Sequence, residues 1–313
     1  MSTGTPRVIK ARVRLGDRVF STSTITAGSI IVAILAAVAI FLIAQSIPAL
    51  VAKAGTLPNA ASSFWDYVGP LAFGTVWAAF LALLMATPLS IGIALFISHY
   101  APRRIAQVLG YIIDLLAAVP SVIFGLWGVS VLAPAVQPFY VWLNTSLHWF
   151  PLFGGDVSGT GRTILTVAIV LAVMVLPIMT AVCREIFLQT PRLHEEAALA
   201  LGATRWEMIQ MAVLPFARPG IVSAAMLGLG RALGETLAVA IVLSPALVVS
   251  FFLLTSQNPS TIAANIALQF SEASGVGVNA LIASGLVLFV ITFIINAIAR
   301  AVVNRRRAFS GAN

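Results

Sequence analysis

Arg231 and Glu235 lie four positions apart inside a long apolar stretch of this 313-residue chain. On an α-helix this spacing puts both side chains on one face, so the sequence predicts an ion pair. A lone charge at the centre of a bilayer costs on the order of 3 kcal/mol, so this face should point away from lipid. We interpret Arg231 and Glu235 as part of an anion pathway. The alternative is an internal ion pair that only holds the helix in its rotation.

Glycines surround this pair and indicate that a neighbouring helix approaches closely. Gly230 and Gly234 have the spacing of a small-xxx-small packing pattern, and Gly228 is nearby. Pro219 is at the expected cytoplasmic end of the span, and at a rise of 1.5 Å per residue Arg231 lies roughly 18 Å beyond it. The sequence therefore predicts that the pair is near the middle of the membrane.

The sequence does not indicate a nucleotide-binding, metal-binding or catalytic site. A P-loop is absent from the sequence, because the only lysines are Lys10 and Lys53 and neither follows a glycine. The three histidines are far apart and Cys183 is the single cysteine, so we expect no metal site. No nucleophile with a nearby base can be assembled. We expect no catalytic residues, no cofactor bound by this chain and no enzymatic activity.

The elements that position Arg231 and Glu235 are apolar helices. The chain is 60% hydrophobic and only 9% charged, with a mean hydropathy of +1.02. About 20 apolar residues are needed to cross a bilayer as a helix. Six stretches meet this length, at 28–47, 71–97, 107–133, 163–183, 221–243 and 281–299. The sequence predicts an all-α integral membrane protein with six transmembrane helices, kinked at Pro88, Pro120 and Pro177 in the second, third and fourth spans.

The distribution of lysine and arginine predicts the orientation of these spans. Most of the 18 cationic residues lie before the first span, after the second and fourth, and after the last. Because such residues concentrate in cytoplasmic loops, we expect both termini to be cytoplasmic. The net charge of +8 is then explained by topology and contact with lipid headgroups, and not by nucleic acid. Segments 48–70, 134–162 and 244–280 should face outward, with a re-entrant or surface-lying piece at 246–254.

The one polar segment between long apolar stretches covers residues 190–219. Thr190 followed by proline predicts the start of a short helix, which Gly202 ends. Thr204 with a glutamate three residues later predicts a capping box that starts a second helix, and Pro215 should end it. Small residues in the first helix suit close approach by another protein. We therefore expect this segment to contact a partner.

Within this segment, the residues Glu196-Ala197-Ala198, then Gly202 and Leu214-Pro215, resemble the EAA loop of permease subunits of bacterial ABC importers. The resemblance implies the type I ABC importer permease fold. It also implies that this loop is a coupling helix that docks in a groove of a separate ATP-binding subunit. ATP and Mg²⁺ would then be used by that partner ATPase, which accounts for the missing P-loop.

Three further motifs, LGDRVF (15–20), AAVPSVIFGLWG (117–128) and RALGET (231–236), resemble the PstC type of phosphate permease. This resemblance implies a bacterial cytoplasmic membrane protein that imports inorganic phosphate. The implied partners are a second homologous permease, two ATPase subunits and an external phosphate-binding protein. A permease for sulfate or molybdate remains the nearest alternative. An ion-coupled secondary carrier or a phosphate-sensing scaffold is a more distant one.

The predicted organisation has three parts. Residues 1–27 form a basic cytoplasmic or interfacial segment, and residues 28–304 form the transmembrane permease domain, which carries the coupling loop at 190–219. Residues 305–313 form a basic cytoplasmic tail. Arg231 and Glu235 would belong to the substrate pathway of this domain.

Overall fold

The computed structural model describes residues 15–307 and contains six helical segments long and apolar enough to cross a membrane. They are Gly16–Leu50, Phe64–Tyr100, Ser121–Ser146, Ile164–Leu188, Arg205–Gly234 and Val276–Ala301. The prediction of six membrane helices in an all-α fold is therefore confirmed. Most of the predicted basic N-terminal segment, up to residue 14, and the end of the predicted tail, from residue 308, lie outside the described residues.

Twelve α-helices make up the described part of the chain. They are α1 (Leu15–Leu50), α2 (Phe64–Leu95), α3 (Arg103–Ala117), α4 (Ser121–Trp127), α5 (Ala133–Ser146), α6 (Ile164–Leu188), α7 (Arg192–Ala200), α8 (Arg205–Met208), α9 (Leu214–Gly234), α10 (Leu237–Val242), α11 (Ile262–Gln269) and α12 (Val276–Arg307). Single π-helical turns follow α2 (Phe96–Tyr100), join α4 to α5 (Gly128–Leu132) and join α8 to α9 (Ile209–Val213). Short 3₁₀ turns cover Pro58–Ala60 and Pro151–Phe153, and two short strands, β1 (Pro245–Ala246) and β2 (Asn258–Pro259), pair in parallel.

The third membrane helix does not lie where the sequence predicts it. Pro120 was expected inside a span at 107–133, but α3 ends at Ala117 and Pro120 is the N-cap residue of α4. The spanning segment is instead Ser121–Ser146. Proline lacks an amide donor and disfavours a helical residue before it, so the apolar run is cut in two. Pro88 and Pro177, in contrast, are inside α2 and α6 as predicted.

The fifth membrane helix also has different ends from those predicted. Pro215 does not end a helix, because it lies in the first turn of α9 and the helical segment continues from Arg205 to Gly234. A proline is tolerated in a first turn, where an amide has no partner in an isolated helix, and here a π-helical turn comes directly before it. The predicted span 221–243 is interrupted after Gly234, because Glu235 has an extended backbone with φ −69° and ψ 126°.

Helix α6 is the centre of the bundle. In the most apolar stretch of 18 residues in α6, 67% of the residues are buried. None is buried in the most apolar stretch of the same length in α1. Helices α2 and α9 pack against α6, while α1 packs mainly along α12, where the Asn279 amide donates to the Gln45 carbonyl oxygen at 2.8 Å. Most of α1 is therefore exposed at the edge of the bundle.

The segment predicted to be re-entrant or surface-lying, 246–254, folds as a non-helical loop over the bundle. Leu253 and Leu254 are buried, whereas Phe251 and its neighbour Phe252 are exposed. The ring of Phe251 lies edge-on to Phe73, with 4.8 Å between the ring centroids. The loop is flanked by the short helices α10 and α11, which pack against each other.

Candidate functional site

The helix break between α9 and α10 places Arg231 near the middle of the bundle. Gly228, one turn before Arg231, packs against Val175 and Met179, which lie halfway along α6. The contact leaves no room for a Cβ atom at this glycine. Arg231 follows in the last turn of α9, so the structure supports the central position that the sequence predicts.

The predicted ion pair between Arg231 and Glu235 is wrong. The pairing required a continuous helix, and the chain leaves the helical conformation at Glu235. Among residues 16–301, whose side chains the structure describes, the one ion pair with N···O within 4.0 Å joins His99 and Glu195, at 3.5 Å. The Nε atom of Arg231 is buried and has no hydrogen-bond partner among the described residues. The guanidinium therefore lies at the break without a carboxylate beside it.

Glu235 has a different task, which is to cap α10. Its side chain is largely buried, and its Oε1 atom accepts a hydrogen bond from the Ala238 amide at 3.1 Å. The first amides of a helix have no partner within the helix, and a carboxylate suits their partial positive charge. Glu235 thus stabilises the start of the six-residue helix that follows the break.

Arg162 caps the other end of α10, a role that the sequence analysis missed. Its Nε atom donates to the Val242 carbonyl oxygen at 3.1 Å, and its Nη2 atom donates to the carbonyl oxygens of Ile241 and Leu243 at 3.0 and 3.2 Å. A guanidinium suits the partial negative charge of these last carbonyl groups. The sequence offered one signal, a rare cation in a segment predicted to face outward.

The two most informative sequence motifs meet at α10. Gly125 and Gly128 belong to the segment 117–128, and a Cβ atom on Gly125 would meet Ala238 while one on Gly128 would meet Val242. The segment 231–236 ends where α10 begins. These glycines let α4 pack directly on α10, so the motifs form one structural unit around the break.

The predicted small-xxx-small packing is not made within the described chain. A Cβ atom added at Gly230 or Gly234 would meet no atom within 4 Å, and both glycines are exposed. Of the three glycines near Arg231, Gly228 alone makes a close helix contact. The prediction of close packing through Gly230 and Gly234 is therefore wrong for contacts with the described side chains of residues 16–301.

The coupling loop has the predicted helix, turn and helix, with one difference at its start. Thr190 does not cap the first helix, because its buried hydroxyl has no partner and Pro191 is the N-cap residue of α7. Gly202 ends this helix with φ +87°, a conformation that favours glycine. The predicted capping box is present, since Thr204 Oγ1 accepts from the Glu207 amide at 3.3 Å and a carboxylate oxygen of Glu207 accepts from the Thr204 amide at 2.7 Å.

The loop presents a largely exposed surface. Glu196, Ala197 and Gly202 are exposed, while Ala198 is half-buried. Leu201, beside Gly202 in the turn, is 90% exposed.

Two predicted coupling residues lie apart from this surface, at the start of α9. Leu214 is half-buried against a cluster that includes Phe187 and Met208, and Pro215 is exposed. The residues of the EAA-like pattern therefore include exposed positions on α7 and its turn and a partly buried position that anchors α9.

Comparisons with known proteins show relatives that are similar to this chain over most of its length. Two curated relatives, each called phosphate transport system permease protein PstC 2, from Mycobacterium bovis and Mycobacterium tuberculosis, are 46% identical over 300 residues, covering 92% of this chain and 92% of each relative. The phosphate transport system permease protein PstC of Mycobacterium leprae is 49% identical over 280 residues, covering 86% of this chain and 87% of that protein.

A solved structure shows the same fold. The crystal structure of a bacterial ABC transporter involved in import of the acidic polysaccharide alginate includes a chain with 18% identity and a TM-score of 0.58, over 90% of this chain and 98% of that one. Residues 86–308 match the family described as the binding-protein-dependent transport system inner membrane component. With the family match and these relatives, the geometry identifies the chain as a member of this family of ABC importer permeases.

Proposed function

We propose that this chain forms one half of the membrane pathway of an ATP-driven importer of inorganic phosphate in the bacterial cytoplasmic membrane. The observation that carries the proposal is the identity of 46–49% to phosphate permeases over nearly the whole chain. The chain would act as a non-catalytic permease subunit. A separate ATPase would supply the energy.

Arg231 is the residue proposed to meet the anion. Its guanidinium lies near the middle of the bundle without a carboxylate partner, and the planar donor pattern of arginine suits two oxygens of a phosphate. Glu235 supports this site indirectly, because it caps α10 and thereby holds the break open beside Arg231. A single guanidinium gives weak and reversible binding, as passage requires, while strong capture belongs to an external phosphate-binding protein.

The loop formed by α7, Gly202 and α8 is proposed to dock on the ATPase. Leu193 and Leu201 are 74% and 90% exposed, and apolar side chains at such positions favour a protein contact. ATP binding would close a pair of ATPase subunits and draw the loops of two homologous permeases together. The core helices would then turn as rigid bodies and open the pathway outward, and hydrolysis would reverse the change.

The function is tested by phosphate uptake into vesicles that contain the complete importer, with ATP inside and the binding protein outside. We expect uptake that requires both additions and that excess sulfate or molybdate does not reduce. Competition by either anion would transfer the assignment to that substrate. Uptake driven by an ion gradient without ATP would contradict the proposal and favour a secondary carrier.

A further inference from the structure

A second group of arginines lies far along the chain from Arg231, around a cavity of about 520 Å³. The cavity is bounded by one side of α3, the π-helical turn after α2, the end of α6 and the start of α7. Arg103, Arg184 and Arg192 line it together with a single carboxylate, that of Asp114. Three positive groups against one negative group leave an excess of two positive charges at the cavity.

Ion pairs within the described part of the chain do not neutralise these positive charges. The one ion pair within 4.0 Å among the side chains of residues 16–301 is His99–Glu195, so Asp114 pairs with none of the three arginines. The Nε atom of Arg184 is also buried without a hydrogen-bond partner. A buried donor with no partner is costly, so a ligand that accepts a hydrogen bond from Arg184 would stabilise the site.

The fold shapes this cavity around Arg184. Gly110 of α3 lies against the guanidinium, and a Cβ atom at this position would collide with Nη1 of Arg184. The glycine therefore allows the arginine from α6 to lie under α3. Gln107, one turn before Gly110, also lines the cavity and adds an amide donor. The site thus consists of donors from α3, α6 and α7, and α3 packs closely on α6.

The position of α3 indicates where the ligand would come from. Val108 and Leu115 on this helix are 57% and 71% exposed, and the helix starts with two arginines, Arg103 and Arg104. A short helix with exposed apolar and basic residues is typical of the membrane surface. The cationic residues in this region are also those that predict the cytoplasmic side. The cavity therefore opens where acyl chains, lipid phosphates and cytoplasmic anions are all present.

We propose that this cavity binds a phosphate group at the cytoplasmic surface of the membrane, separate from the transport pathway. Guanidinium groups bind phosphate oxygens through paired charge-assisted hydrogen bonds, and the excess of two positive charges suits a phosphate dianion or a phosphodiester with a second anionic group. The phosphate belongs either to an anionic lipid headgroup or to free inorganic phosphate. The site requires Arg184 at its base and Arg103 and Arg192 at its mouth.

The test uses the purified complete importer and two probes. In one arm, the complex is titrated with phosphatidylglycerol and the bound lipids are counted by native mass spectrometry. In the other arm, radiolabelled inorganic phosphate is added to the complex in nanodiscs of phosphatidylcholine. Arg184→Gln is compared with the double variant Arg103→Gln and Arg192→Gln, whose two side chains are exposed. Arg104→Gln is the matched control, because Arg104 is the neighbour of Arg103 but does not line the cavity.

We expect at least about a tenfold loss of affinity in one arm for both test variants, the size of one lost charge-assisted hydrogen bond, and no loss for Arg104→Gln. A loss in the lipid arm assigns the site to a headgroup, and a loss in the phosphate arm assigns it to the free anion. The proposed pathway residues Arg231 and Glu235 are unchanged in every variant. Because Arg192 also belongs to the docking loop, assembly with the ATPase is measured for each variant, and affinities are compared only between assembled complexes.

Unchanged affinity for both probes in the test variants would overturn the proposal. An equal loss in Arg104→Gln would overturn it as well, because it would indicate general attraction to surface charge. If Arg184→Gln fails to assemble, the double variant at the exposed positions decides the result.

Discussion

Arg231 and Glu235 lie four positions apart, yet the fold gives them different surroundings. Their spacing predicts a pair only if the helix continues through both, and the sequence shows no reason for it to stop. The short helix after the break, α10, is capped at its far end by Arg162, about 80 residues earlier in the chain. Sequence periodicity depends on local structure. It can therefore indicate the charged residues and their position along the span, but not the helix break between them.

At the residue scale, the first prediction concerns the cation in the pathway. Arg231→Gln removes the charge but keeps a polar side chain of moderate length. We expect phosphate uptake by reconstituted vesicles to fall at least about tenfold, because one charge-assisted hydrogen bond to the anion is lost, while assembly with the ATPase is unchanged. Arg218→Gln, at an exposed position on the same helix, is the control. Normal uptake in Arg231→Gln would contradict the proposed contact with the anion and indicate that Arg231 has only a structural role.

The second prediction separates the capping role of Glu235 from a role of its charge. Glu235→Gln keeps a side-chain oxygen that accepts from the Ala238 amide, whereas Glu235→Ala removes it. We expect the alanine variant to lose about 1 kcal/mol of stability, as for the loss of other N-cap side chains, and the glutamine variant to lose much less. Thermal unfolding of the purified protein measures both. Equal losses would show that the carboxylate charge, and not the cap, is what matters.

At the scale of elements, α10 is a short helix held at both ends by side chains. A six-residue helix is not stable alone, so its capping residues and its contacts with α4 have to stabilise it. The glycines that allow this contact were visible in the sequence as a motif. The sequence does not show that these glycines lie against Ala238 and Val242 of α10, because the two segments are far apart in the chain.

Removal of the C-terminal cap is the third prediction. Arg162→Gln takes the donors away from up to three carbonyl groups at the end of α10. We expect the midpoint of thermal unfolding to fall by about 4 °C or more, because hydrogen bonds from a charged donor are lost. Lys53→Gln changes another cation predicted to face outward and should leave the midpoint unchanged. A midpoint equal to that of the parent chain in Arg162→Gln would show that the cap is dispensable.

The coupling loop gives the fourth prediction. Gly202→Asp adds a carboxylate to the exposed turn, and Asp tolerates the left-handed backbone that the turn requires. We expect ATP hydrolysis by the complex to become independent of transport while the membrane helices remain folded. Gly202→Asn has nearly the same shape without the charge, so it should remain coupled. ATPase activity and uptake measured together decide this, and full coupling in Gly202→Asp would argue against docking at the turn.

Helix ends that depend on nearby residues could be predicted from the sequence, whereas those that involve proline could not. The capping box at Thr204 and the glycine stop at Gly202 were predicted correctly, because each depends on residues a few positions apart. The effects of Pro120 and Pro215 were predicted wrongly. A proline is acceptable in the first turn of a helix and disruptive within it, and an apolar run alone does not show which case applies.

At the scale of the whole molecule, composition was enough to predict six membrane helices, because each needs about 20 apolar residues whatever its neighbours. It could not show how they share the core. Helices α1 and α6 are both strongly apolar, yet α6 is the buried centre and α1 lies at the edge. Lipid and protein interior are equally apolar surroundings, so hydrophobicity does not distinguish them.

The fifth prediction tests the orientation of the whole chain. Cys183 is the single cysteine and is fully buried, so a cysteine introduced elsewhere is the main reactive thiol. A membrane-impermeant thiol reagent should label Lys53→Cys in intact cells and label Arg205→Cys only after the membrane is opened. Both native side chains are exposed, so access depends on the side of the membrane. The reverse pattern would invert the orientation that the charge distribution predicts.

The helical segment from Arg205 to Gly234 starts at the coupling loop and ends beside Arg231. Its 30 residues extend about 45 Å at 1.5 Å per residue. It is held along α6 by close contacts at Gly220 and Gly228. It can therefore act as a lever, and a tilt of roughly 5° about one end would shift the other end by about 4 Å over such a length. A small tilt that starts at the inner surface would therefore move the Arg231 guanidinium by a distance comparable to the size of a small anion.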